Sequence, residues 1–192
     1  TGGVEIGAGT HTLGGSNTYT GATRIDSGAT LALTGSGSIA LSSALSNNGS
    51  FDISGAARNV GIQQLSGSGT VQLGTRTLAV LNAASSFGGV LAGTGGFTVG
   101  GGTQFLSNVN TYTGLTTVDA GGSLALSGNG SVAASSGVVA NGLFDIASAT
   151  GGASIASLSG SGGNSQVNLG ARTLTLTQAA GDFGGTMTGS GN

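Results

Sequence analysis

An all-β solenoid is the fold this sequence predicts, and three observations carry the prediction. The first is duplication. Asn17-Thr18-Tyr19-Thr20-Gly21 returns as Asn110-Thr111-Tyr112-Thr113-Gly114, and Phe51-Asp52-Ile53 as Phe144-Asp145-Ile146, both at an offset of 93. Past Gly162 the offset becomes 96, pairing Val71-Gln72-Leu73-Gly74 with Val167-Asn168-Leu169-Gly170 and Phe87 with Phe183. Self-similarity at a long fixed period is the mark of a repeat architecture. The second is alternation: Leu31-Ala32-Leu33, Leu78-Ala79-Val80, Phe97-Thr98-Val99, Leu124-Ala125-Leu126 and Leu174-Thr175-Leu176 each place apolar residues at every second position. That period of two belongs to a strand with one face buried. The third is an interior built of small apolar residues, with short Gly- or Ser-rich turns such as Ser66-Gly67-Ser68-Gly69. These suit a narrow coil stacked on itself better than a sandwich or barrel.

Composition narrows the class further. Glycine at 42 of 192 residues points toward low complexity, but 37% of residues are hydrophobic, regularly spaced, and only 5% are charged. Disordered chains stay soluble through charge, which this one lacks. Absence of proline suits uninterrupted hydrogen-bond ladders, and absence of cysteine leaves no disulfide framework. A net charge of −2 without a basic face argues against nucleic-acid binding, and no apolar run is long enough for a membrane helix. No membrane insertion by this segment is expected.

Residues 1–93 are read as a first four-coil repeat and 94–192 as a second, in one continuous solenoid. Coils of roughly 20 to 27 residues give about eight in all. Thr1-Gly2-Gly3 and Gly189-Ser190-Gly191 fall at matching points of the repeat, which reads as a fragment of something longer. Phe51, Phe87, Phe144 and Phe183 are expected in the core or against turns.

The strings around Asn17-Thr18-Tyr19-Thr20-Gly21 and Asn110-Thr111-Tyr112-Thr113-Gly114, followed by Ala22-Thr23-Arg24-Ile25 and Leu115-Thr116-Thr117-Val118, resemble a known family. It is the passenger-associated repeat (autotransporter-associated β-strand repeat) of bacterial type V secreted autotransporters. The motif covers about a quarter of each copy; the leucine strand usual before it is weakened at Thr12-Leu13 and Phe105-Leu106, and an upstream lysine is missing. The resemblance implies a right-handed parallel β-helix at the extracellular face of a Gram-negative outer membrane, or secreted. As partner it implies the chain's own C-terminal outer-membrane barrel. It carries no catalytic residues.

The chemistry-bearing residues give no competing site. Asp26 with Asp119 and Asp52 with Asp145 are duplicates beside strands or turns, where Asp commonly bonds local backbone. Glu5, Arg24, Arg58 and Asp182 are read as unconnected charges in different coils, and Arg76 and Arg172 as exposed charges that limit lateral sticking. His11 stands alone without thiols, so no metal cluster is expected, and Gly100-Gly101-Gly102 lacks the lysine and helix of a phosphate loop. The sequence therefore predicts no catalytic, cofactor-binding or metal site, no cofactor and no enzyme. It predicts a passenger stalk that assists secretion and displays a distal functional region. The alternative is an adhesin surface that self-associates or binds a host or cell-surface ligand.

Overall fold

The computed structural model describes residues 2–190; Thr1 and Gly191, at the two matching ends, lie outside the described residues. Within them are 21 strands and no helix. Every strand pairing is parallel, and partners in the ladders are about twenty residues apart along the chain. This is a β-solenoid of about nine turns, with three faces per turn.

The first face runs from Val4–Ile6 through Thr23–Ile25 and Leu45–Asn47 to Leu65–Ser66. It passes, through a Ser85 Oγ hydrogen bond to the Leu65 carbonyl, to Ala83–Phe87. From there it continues through the later part of Phe97–Leu106, then Thr116–Gly128, Leu143–Ala149, Gln166–Gly170 and Thr186–Gly189. The second face stacks Thr10–Leu13, Thr30–Leu33, Ser50–Asp52, Thr70–Gly74 and Val90–Gly93. The third stacks Val60–Ile62, Leu78–Val80, the start of Phe97–Leu106, the start of Thr116–Gly128, Val138–Ala140 and Leu158–Ser159. The two long strands each turn a corner between faces, with register shifts at Val99/Gly101 and Ala125/Ser127.

Alternation explains the core. Leu31, Leu33, Phe51, Ile53, Val71, Leu73 and Leu91 are all fully enclosed. In the second copy Leu124, Leu126, Phe144, Ile146 and Val167 do the same. Phe51, Phe87 and Phe144 are core residues as expected, and Phe183 is partly buried against the core. At roughly 25 cal/mol per Å² of apolar area, this single column of side chains is the main stabilising contribution.

The pairing corrects one expectation about the unit. Four turns carry the first face from Val4 to Ala83, and two more faces precede Phe97, the equivalent of Val4. The repeat therefore occupies four and two-thirds turns of about twenty residues, rather than four longer coils. Val4–Ile6 lies on the first face but its equivalent at Phe97 starts on the third; Thr10–Leu13 lies on the second face but Thr103–Leu106 is on the first. Each copy is turned by one third about the axis relative to the other.

Candidate functional site

The duplicated motif builds a connected polar network in each copy. Its Asn amide turns back on its own corner and forward to the next coil: Asn110 Nδ2 donates to the Asn108 and Ser131 carbonyls, as Asn17 Nδ2 donates to those of Gly15 and Ser38. The Tyr hydroxyl bonds a Thr four residues on, Tyr112 to Thr116 and Tyr19 to Thr23, each at 2.6 Å. That Thr bonds a Ser of the following coil at 2.9 Å, Thr116 to Ser135 and Thr23 to Ser42. The Ser donates to the carbonyl of the motif's closing glycine, Gly114 or Gly21, at 2.9 Å. A Cβ on Gly21 would collide with the Gly2 carbonyl, and one on Gly114 with that of Gly95, so the corner requires glycine. Buried hydroxyls need partners, and here all three have one.

A second stitch comes from the Asn-Gly pairs. Asn48 Oδ1 accepts from Ser68 N and Asn141 Oδ1 from Ser161 N, each across twenty residues. Gln104, fully buried where the first copy carries exposed His11, donates through Nε2 to the Leu65 and Ser85 carbonyls of the two preceding coils.

The motif's two copies differ in burial. Tyr112 is fully enclosed, its ring 6.3 Å from that of Phe97, and burial pushes its phenol well above the ordinary range despite the Thr116 hydrogen bond. Tyr19 is half-buried. The preceding coil makes the difference: Leu91 N donates to Asn110 Oδ1 at 2.9 Å, and Thr111 N and Tyr112 N both donate to the Leu91 carbonyl.

The single-copy features are fewer. A surface groove of about 530 Å³ runs past Ser36, Ser38, Ala57, Asn59 and Gly61, with Arg58 as its one charge. In the second copy the position of Arg58 is Gly151. The acidic pairs divide: Asp52 Oδ1 accepts from Ser54 N and Asp145 Oδ1 from Ala147 N, as local bonding predicts, whereas Asp26 instead accepts from Arg24 Nε at 2.6 Å. Glu5 and Arg24 are not isolated charges. The parallel register sets them directly opposite one another, with 4.0 Å between the charged groups. Nor are the paired arginines simply exposed: both are half-buried, and Arg172 donates to the Ala147 and Thr150 carbonyls of the preceding coil. Among the described residues no three His, Asp or Glu side chains converge as metal ligands.

The passenger-associated-transport-repeat family profile matches residues 5–33 and 98–126, each spanning one Asn-Thr-Tyr-Thr-Gly stitch and the strands around it, again 93 residues apart. Each matched segment is a passenger-associated transport repeat. The chain is 37% identical over 134 residues to the Adhesin BmaC autotransporter of Brucella suis biovar 1 (strain 1330). The match covers 64% of this chain and 4% of that relative, so the chain spans a small fraction of the relative's length. No solved structure matches it.

Local sequence located the stitch but not its full extent. The Tyr, Thr and closing Gly lie within one string, whereas the Ser that completes the chain of hydroxyls sits nineteen residues past the Thr.

Proposed function

We propose that this region is a stalk segment of a bacterial surface autotransporter, holding a distal functional region away from the outer membrane and assisting its own secretion. The observation that supports this reading is the coil-to-coil stitching: each motif bonds the coil after it, so each coil completes its polar groups only when its neighbour folds. A stack with nearest-neighbour stability folds progressively, and folding outside the cell draws the remaining chain outward. The chain's own C-terminal outer-membrane barrel is the partner this requires. The role is mechanical, with no cofactor and no enzymatic step.

The test is surface display of the full-length protein with Leu31, Leu33, Leu124 and Leu126 replaced by glycine. Display is expected to fall with the loss of these four buried side chains. Display at the original level sinks the reading.

An adhesive role is the second reading, favoured by the Arg58 groove, which the duplication did not copy. A lone guanidinium among Ser and Asn side chains suits a carboxylate-bearing surface ligand. Cell-binding assays on Arg58→Ala test it; adhesion equal to that of the parent protein rejects the groove as the adhesive site.

A further inference from the structure

Arg58, the one charge of the surface groove, has a cationic neighbour in the next coil. Val60 pairs with Leu78 in the third-face ladder, Thr77 N donates to Asn59 Oδ1, and Val60 N donates to the Thr77 carbonyl. Arg58 and Arg76 each stand two residues ahead of the Val60/Leu78 pair, at the same corner of successive coils. Neighbouring coils lie about 4.8 Å apart. Half of the chain's four basic residues are therefore gathered at one corner.

Neither guanidinium is neutralised within the molecule. Among the described residues the ion pairs are those of Arg24 with Glu5 and Asp26. Arg58 is exposed, and Arg76 keeps its Nε buried with no hydrogen-bond partner. The second copy shows what this corner does with a single cation. There Gly151 stands in place of Arg58, and Arg172, the counterpart of Arg76, donates through Nε to the Ala147 carbonyl and through Nη1 to that of Thr150. The corresponding residues of the first copy are Ser54 and Ala57, and Arg76 Nε bonds neither. Like charges on adjacent strands destabilise a sheet. A local rule broken without compensation inside the fold points to a functional site.

We propose that Arg58 and Arg76 form a binding site for a tetrahedral oxyanion, the sulfate or phosphate ester of a cell-surface glycan. The ligand class follows from counting oxygens. One guanidinium fork takes both oxygens of a carboxylate, which leaves a second fork nothing to hold. A sulfate or phosphate ester carries three terminal oxygens, enough to bridge two forks. The groove beside Arg58, lined by Ser36, Ser38 and Asn59, offers hydroxyls and an amide to the sugar that bears the ester. The proposal rests on the adhesive reading of the groove and adds Arg76 to it, which narrows the anion from a carboxylate to a tetrahedral ester.

The test is titration of the 192-residue chain at low ionic strength with inorganic sulfate, inorganic phosphate and acetate, followed by nuclear magnetic resonance. Saturable shifts around Arg58 and Arg76 are expected for the two tetrahedral ions and markedly weaker ones for acetate. A monosaccharide sulfate and a monosaccharide phosphate then separate the two sources, the tighter binder naming the ester. Arg58→Ala and Arg76→Gln are each expected to weaken binding about tenfold or more, the cost of losing a charge-assisted hydrogen bond, whereas Arg172→Gln leaves it unchanged. Without ligand, Arg58→Ala is expected to melt at or above the parent temperature because a like charge has gone; a merely structural arginine would lower it. Absence of saturable binding overturns the proposal. So does acetate binding as tightly as the tetrahedral ions, or a loss on Arg172→Gln equal to that on Arg76→Gln. Adhesion that falls on Arg58→Ala, with anion binding indifferent to Arg76→Gln, keeps the groove and rejects the pair. Anion binding that needs both arginines, with adhesion indifferent to Arg58→Ala, keeps the site and rejects its adhesive role.

Discussion

The same five residues, Asn-Thr-Tyr-Thr-Gly, make the same side-chain hydrogen bonds to the following coil at residues 17–21 and 110–114, yet only in the second copy are the Asn and the Tyr sealed from water. The contacts within the motif and to the following coil are nearly superposable: 2.6 Å from Tyr to Thr and 2.9 Å from Thr to Ser in both copies. What differs is the coil before. Leu91 and Phe97 close over Asn110 and Tyr112, and Val4 stands where Phe97 does. The motif therefore specifies a connection, while its neighbours decide how much that connection stabilises. That is the one-dimensional behaviour expected of a solenoid.

Four measurements bear on this contrast. Chemical denaturation should find Tyr112→Ala costing about 3–5 kcal/mol, the range for an aromatic removed from a packed core, and Tyr19→Ala clearly less. Equal costs would mean that the preceding coil contributes little. The pH dependence should follow from the raised Tyr112 phenol: the folded state keeps it protonated where the unfolded chain ionises it near pH 10. Its contribution is complete below that pH and is lost as pH rises above it, at about 1.4 kcal/mol per pH unit until the folded group itself ionises. Melting of Tyr112→Phe above pH 10 should lack this component. Thr116→Val and Thr23→Val, both at fully buried positions, should each cost about 1–3 kcal/mol by leaving the Tyr and Ser hydroxyls short of a partner. A large difference between these two would show that the stitch itself, beyond its cover, differs between copies. Smallest of all, Arg24→Ala should change stability by about 0.5 kcal/mol or less, because its ion pairs with Glu5 and Asp26 are largely solvated.

The strands were legible because burial leaves a period of two: Leu31, Leu33, Leu124 and Leu126 announced themselves and are enclosed. The coil length was less legible. Residues 16–21 and 38–43 cross the third face almost without strand, so that face sends no alternating signal in the first two turns, and counting strands undercounts coils. Register was invisible for a related reason. Nothing local places Glu5 opposite Arg24, or Ser42 beside Thr23; both follow from a coil of about twenty residues, known only once the chain is wound. Arg172 looked exposed because the carbonyls it reaches belong to the coil before it.

Because the duplicated unit fills four and two-thirds turns, copying it does not concentrate a surface feature on one side. A ligand patch carried by each unit would face a planar target, such as another cell, only in every third copy. Valency toward that target would then grow at a third of the rate at which length grows, while reach grows in full. Expansion by such units lengthens a fibre faster than it multiplies grip. A feature meant to act once, in one direction, is safest in a single unit, as Arg58 is.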